Sequence, residues 1–86
     1  LNKQTIILTE VIMVKIYSSE TCAPCKTLKT FLSKKNIDYD VLDISNEKNL
    51  TDLINLTGNR IVPTSVIGGK VIIGLNIGGV LQALSS

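Results

Sequence analysis

Histidine and tryptophan are both missing from this 86-residue chain, which holds two cysteines, two prolines and three aromatic rings, Tyr17, Phe31 and Tyr39. Without histidine there is no Cys-His nucleophile pair and no general base titrating near neutrality. Three rings and a net charge of +2 are too few for a surface that stacks bases and tracks phosphates, so nucleic acid is not an expected partner. Long hydrophobic runs are lacking too. Lys15, Asn76 and the charged segments interrupt every stretch before it reaches the roughly 20 residues of a membrane span. Leu1 to Ile12 has neither the basic start, the long apolar middle nor the small-residue cleavage site of a secretory signal. The expectation is a cytoplasmic protein that does not engage membranes.

What is present supports one small domain. A composition 44% hydrophobic and 19% charged can pack a core and is too apolar for a disordered chain. A chain of this size buries only about 60% of its unfolded surface, which leaves nothing for a second core. The domain is placed at residues 13–86, and a monomer is expected. Residues 1–12, ahead of Met13, read as an N-terminal extension, either upstream sequence or a remnant of processing or cloning. The rival reading is a short extra strand through Thr5-Ile6-Ile7-Leu8-Thr9.

Val14-Lys15-Ile16-Tyr17-Ser18 reads as a strand, followed by a loop that passes through Cys22 into a helix with Thr21 as its cap. Leu28, Phe31 and Leu32 form the apolar stripe of that helix, which ends near Asn36. A second strand is expected from Asp38 into Ile44, with Tyr39 and Val41 on one face. Next comes a second helix capped by Ser45, presenting Leu50, Leu53, Ile54 and Thr57 and ending at Gly58-Asn59. Pro63 introduces a strand over Thr64 to Ile67, Gly68-Gly69 supplies a two-residue turn, and Lys70 to Ile73 returns. The last helix spans Asn76 to Ser85 with Ile77, Val80, Leu81 and Leu84 on its buried face. The order β-α-β-α-β-β-α, with a right-handed crossover between the first two strands, predicts an α/β domain: a mixed four-stranded sheet flanked by three helices.

A bridge between Cys22 and Cys25 would close a tiny loop and remove little entropy from the unfolded chain, so a structural staple is a poor reading. Zinc ribbons use the same C-x-x-C spacing but carry a second pair, which is absent here. A zinc or iron–sulfur carrier would need two chains, each supplying Cys22. At a strand-to-helix junction the pair fits a dithiol redox motif. Cys22 would sit among the unsatisfied N–H groups and positive dipole of the helix start, while Cys25 lies one turn further in. Lowering a thiol pKa from about 8.5 to about 7 raises the thiolate fraction at neutrality roughly fifteenfold, and the weaker nucleophile gives back about fivefold. Faster departure of the same sulfur from a mixed disulfide is the larger benefit.

From Met13 to Leu84 the segment Val14-Lys15-Ile16-Tyr17-Ser18-Ser19-Glu20-Thr21-Cys22, the Val62-Pro63 pair and the element order resemble a glutaredoxin of the thioredoxin superfamily. The resemblance implies a thioredoxin-like fold and a dithiol-disulfide oxidoreductase that reduces protein or mixed disulfides. In it Cys22 is the nucleophile and Cys25 the resolving thiol, with Val62 and a cis Pro63 offering backbone to the substrate. Ala23 and Pro24, between the sulfurs, and Arg60, just before Val62-Pro63, complete the expected substrate-contacting set. A solvated loop residue is the equal alternative for Arg60.

Three departures bear on the electron donor. The order Cys22-Ala23-Pro24-Cys25 puts proline beside the resolving cysteine, as thioredoxins do. The lysine with which glutaredoxins often hold a glutathione carboxylate is Ser19. The segment aligned with their Gly-Gly and following Asp reads Gly74-Leu75-Asn76-Ile77, and no acidic residue follows Asp52. Gly78-Gly79, shifted along the chain, is either an anion-binding helix start or a site of close packing and fraying. No bound cofactor is expected. The reductant is either glutathione or a flavoprotein of the thioredoxin reductase type.

Overall fold

Val14, Ile16 and Ser18 alternate with Lys15 and Tyr17 along the first strand, so the two faces of the sheet receive different chemistry from the outset. The computed structural model describes residues 13–85, and the expectations for residues 1–12 lie outside the described residues. The elements are β1 (Val14–Ser18), α1 (Ala23–Lys34), β2 (Asp40–Asp43), α2 (Glu47–Thr57), β3 (Thr64–Ile67), β4 (Lys70–Ile73) and α3 (Ile77–Leu84). They form a thioredoxin-like α/β fold with a four-stranded sheet in the order β2-β1-β3-β4. β1 pairs parallel with β2 and antiparallel with β3, and β3 pairs antiparallel with β4. The mixed sheet and three helices match the expected order.

One face of the sheet carries the main core. Val14 and Ile16 of β1, Ile67 of β3 and Ile72 of β4 pack with Leu28 and Leu32 of α1 and with Val80 and Ala83 of α3. Leu28 and Leu32 are completely buried, each contributing roughly 1.5–3 kcal/mol of transfer free energy. The other face holds Tyr17, 5% exposed, whose phenol is held above its ordinary pKa by burial first and the Asp52 carboxylate second, with Lys48 opposing. Both charges belong to α2, which places that helix across this face, where Leu53 is also fully buried. The β3–β4 turn is Gly68-Gly69 with φ of +55° and +87°, the pair of positive angles a tight hairpin of this hand requires.

Several sequence expectations shift in detail. Thr21 does not cap α1; the cap is Cys22, whose extended backbone brings its own sulfur over the first turn. Ser45 does not cap α2; it lies in the preceding turn, where its N–H donates to the Asp43 carboxylate at 2.8 Å. Asn46 takes that position, its Oδ1 accepting from Lys48 N and Asn49 N at 2.9 and 3.2 Å. β2 is shorter than the Asp38–Ile44 pattern, since the ladder with β1 starts at the Lys15–Asp40 pair. Tyr39 packs on the core from outside the strand, whereas Val41, on the sheet edge, is 45% exposed. In α3, Leu81 is exposed and Ala83 is buried. The buried face centres on Val80, and Leu81 lies about 100° around the helix from it.

These burials predict opposite responses from two leucines. Leu28→Ala removes a fully enclosed side chain and lowers unfolding free energy by about 2–5 kcal/mol in urea titration, while Leu81→Ala changes it by less than about 0.5 kcal/mol.

Candidate redox site

At the upper end of β1 the chain turns through Ser19 to Thr21, with Cys22 N–H donating to the Ser19 carbonyl at 3.2 Å. Cys22 then adopts φ −91° and ψ 108°, the extended geometry of a helix cap, and its carbonyl accepts the first helical bond from Lys26 N at 3.3 Å. Pro24 fits the first turn because it has no N–H to leave unpaired. The Cys25 N–H donates to Cys22 Sγ at 3.1 Å. One backbone dipole is therefore aimed at the sulfur, and the positive end of α1 adds to it, both favouring a thiolate there when the pair is reduced.

The structure holds Cys22 and Cys25 as a disulfide, with Cα atoms 5.2 Å apart. Their surroundings differ. Cys22 is half-buried at the rim, while Cys25 is fully buried on the stripe that continues into Leu28 and Leu32. Ala23 and Pro24 stand exposed beside the sulfur. Across from them the Val62-Pro63 peptide bond is cis, and the Val62 carbonyl oxygen lies 3.8 Å from Cys22 Sγ. Pro63 is buried, with its carbonyl accepting from Gly74 N at 2.8 Å. The Thr64 hydroxyl donates to the Ile61 carbonyl at 2.7 Å, and Asn59 Oδ1 accepts Ile61 N at 3.0 Å. The structure thus brings Cys22, Cys25, Ala23, Pro24, Val62 and Pro63 together. Arg60 stands exposed in the loop, two residues before Val62.

Asn76, which the sequence places at the start of the last helix, is the N-cap of α3. Its Oδ1 accepts the Gly79 N–H at 2.9 Å, so the start of α3 is capped by the chain itself. A Cβ on Gly79 would meet Asn76 Nδ2 at 2.9 Å, so a larger residue there would push the capping side chain aside. Gly78 is exposed, and a Cβ there would make only an ordinary contact with the Asn76 side chain. The signal for the cap was available as an Asn three residues before a glycine at a helix start. Beside the redox loop, Asp43 is held below the usual carboxylate range, chiefly by the Ser45 backbone hydrogen bond and next by the Ser45 side chain.

The glutaredoxin family model matches residues 14–72. The chain belongs to the glutaredoxin family. It is 37% identical over 65 residues to a glutaredoxin-like 8.6 kDa protein in the rubredoxin operon of Clostridium pasteurianum, covering 74% of this chain and 87% of that one. It is 27% identical over 62 residues to the N-acetyl-S-hydroxy-L-cysteine reductase of Bacillus subtilis, covering 71% of this chain and 67% of that one. A crystal structure of a thioredoxin-like protein superposes with a TM-score of 0.76 at 28% identity, covering 81% of this chain and 97% of that one.

The unequal burial of the two sulfurs in this glutaredoxin-family chain makes a labelling prediction. In reduced protein, iodoacetamide modifies Cys22 at least about tenfold faster than Cys25, as read by peptide mass spectrometry. Equal labelling of both would contradict the geometry.

Proposed function

We propose that the chain is a dithiol-disulfide oxidoreductase that reduces protein or mixed disulfides. The observation that carries this reading is the asymmetry of the pair: a rim sulfur receiving a backbone N–H at a helix start, linked to a fully enclosed one. The Cys22 thiolate attacks one sulfur of the target disulfide, forming a mixed disulfide and releasing the other target sulfur as a thiolate that takes a proton from solvent. Cys25 then attacks Cys22. The Cys22–Cys25 bond forms, the bond to the target breaks, and its electron pair leaves with the second target sulfur. The target is reduced by two electrons and the Cys22–Cys25 pair is oxidised by two. Val62 and Pro63 offer main chain alongside the attacking sulfur, and Ala23 and Pro24 offer apolar surface. The name of the Bacillus subtilis relative, a reductase of an S-hydroxycysteine derivative, supports reduction at an oxidised sulfur as the chemistry.

Glutathione is the electron donor that family membership favours. Two observations favour a flavoprotein of the thioredoxin reductase type: Ser19 stands where a carboxylate-holding lysine would be, and Asn76 already caps the start of α3. NADPH consumption with a disulfide substrate, coupled in parallel to glutathione reductase plus glutathione and to a thioredoxin reductase, separates the donors.

In the coupling that works for wild-type protein, Cys22→Ser abolishes turnover. Cys25→Ser instead accumulates a mixed disulfide through Cys22, seen as a mass shift that dithiothreitol reverses. Equal loss in both variants with no adduct would reject the assignment of roles.

A further inference from the structure

The buried polar side chains among the described residues are Ser18, Thr64 and Ser65, at 1%, 0% and 1% exposure. Thr64 donates to the Ile61 carbonyl. Among the described residues, Ser18 Oγ and Ser65 Oγ have no hydrogen-bond partner. A buried hydroxyl in that condition is unfavourable relative to an apolar side chain of similar size, and two on one sheet face stand as donors for an acceptor that arises beside them.

Their placement identifies it. β1 climbs from Val14 to Ser18, the chain turns through Cys22, and α1 returns over the same face, with Leu28 and Leu32 in one cluster with Ile16 and Val14. Cys25 precedes Leu28 by three residues on the same helical stripe and therefore covers the upper end of that face. Ser18 shares the face of Ile16 by alternation, and Ser65 shares it as the register partner of Ile16. Both orphan hydroxyls thus stand on the sheet surface that the first turn of α1 covers.

We infer that the hydroxyls of Ser18 and Ser65 donate hydrogen bonds to the Cys25 thiolate in the reduced protein, acting as positioning residues for the resolving step. The inference rests on the dithiol reading above. In the disulfide state Cys25 carries no charge and the hydroxyls stay unpaired. Once reduced and ionised, the enclosed sulfur is the strongest acceptor in that interior. Below it the same face is continued by apolar side chains, Leu28 of α1 and Ile16 of β1. Asp43, register partner of Ser18 on β2, is half-buried, accepts the Ser45 N–H and feels Lys29 of α1, and Cys22 faces Cys25 directly. Without donors, an apolar enclosure would hold the Cys25 thiol protonated and unreactive. Cys25 gives its proton to solvent as it ionises, its thiolate attacks Cys22, and the departing target thiolate takes a proton up, so no further co-reactant enters.

The test is the thiolate absorbance of Cys25 against pH in a Cys22→Ser background, where it is the only thiol. Ser18→Ala with Ser65→Ala lowers the thiolate fraction at fixed pH by about tenfold, each single variant by less, and Ser65→Thr restores the single-variant loss. Unchanged titration curves in the single and double variants, with native circular dichroism, overturn the inference. So does a shift that Ser65→Thr fails to reverse. The titration needs no turnover, so an inactive wild-type protein would reject the proposed function while leaving this result readable.

Discussion

A single hydrogen bond, from the Cys25 N–H to Cys22 Sγ, serves two purposes that in most helices are served by different groups. It caps α1, satisfying one of the orphan donors at the helix start, and it places a partial positive charge on the sulfur that meets solvent. Neither purpose could be met if the helix began one residue earlier, as a Thr21 cap would have it. The three-residue spacing between the cysteines then follows from helix geometry. The donor to a cap side chain is the third residue in, and that residue points down the helix onto its buried face. The cap therefore determines which sulfur is outside and which is inside.

Keeping this bond in place requires α1 to be immobile at its amino end, and the packing beneath it meets that need. Cys25, Leu28 and Leu32 are all fully buried, so the helix is anchored along one stripe against β1 and β3. The opposite wall of the site is held by hydrogen bonds instead. The loop from Asn59 to Thr64 is pinned at Ile61 from both sides, and Pro63 is tied to Gly74. A hydrophobically seated helix thus faces a hydrogen-bonded loop across the Cys22 sulfur, with the Val62 carbonyl 3.8 Å away. Change in either wall alters the same short gap.

The sheet, the helices and the redox pair were legible in the sequence because each rests on a local rule: alternation in Val14 to Ser18, the stripe of Leu28, Phe31 and Leu32, and the glycine pair that closes the hairpin. Misreadings fell where two neighbouring residues could each do the same job. Thr21 and Cys22, and likewise Ser45 and Asn46, compete for one cap, and the loser is already engaged in the preceding turn in the case of Ser45. The spacing of Ile77, Val80, Leu81 and Leu84 puts Leu81 on the buried face, yet the short α3 turns only a narrow face inward, and the smaller Ala83 lies on it. The cis Val62-Pro63 bond was expected through resemblance alone, since X-Pro base rates favour trans. The unpaired hydroxyls of Ser18 and Ser65 had no local signature: a serine in a strand reads the same whether its face is wet or sealed.

In the dithiol mechanism proposed above, the opposed environments of the two sulfurs assign the order of the chemistry. Electropositive groups around Cys22 raise the share of its reactive form and improve it as a leaving group, at some loss of intrinsic nucleophilicity. Enclosure does the reverse for Cys25: it is hard to ionise, but once ionised it is the more basic and so the stronger attacking sulfur. In that mechanism the first step falls to the rim sulfur, because it is the accessible one and lies at the helix start. The second belongs to the inner sulfur, because only it is close enough to displace a target already bound to Cys22. If the environments were exchanged, an accessible thiol that is hard to ionise would begin the reaction slowly. A buried thiolate of low basicity would then finish it slowly, so burial and exposure contribute to rate only in the arrangement the α1 cap imposes.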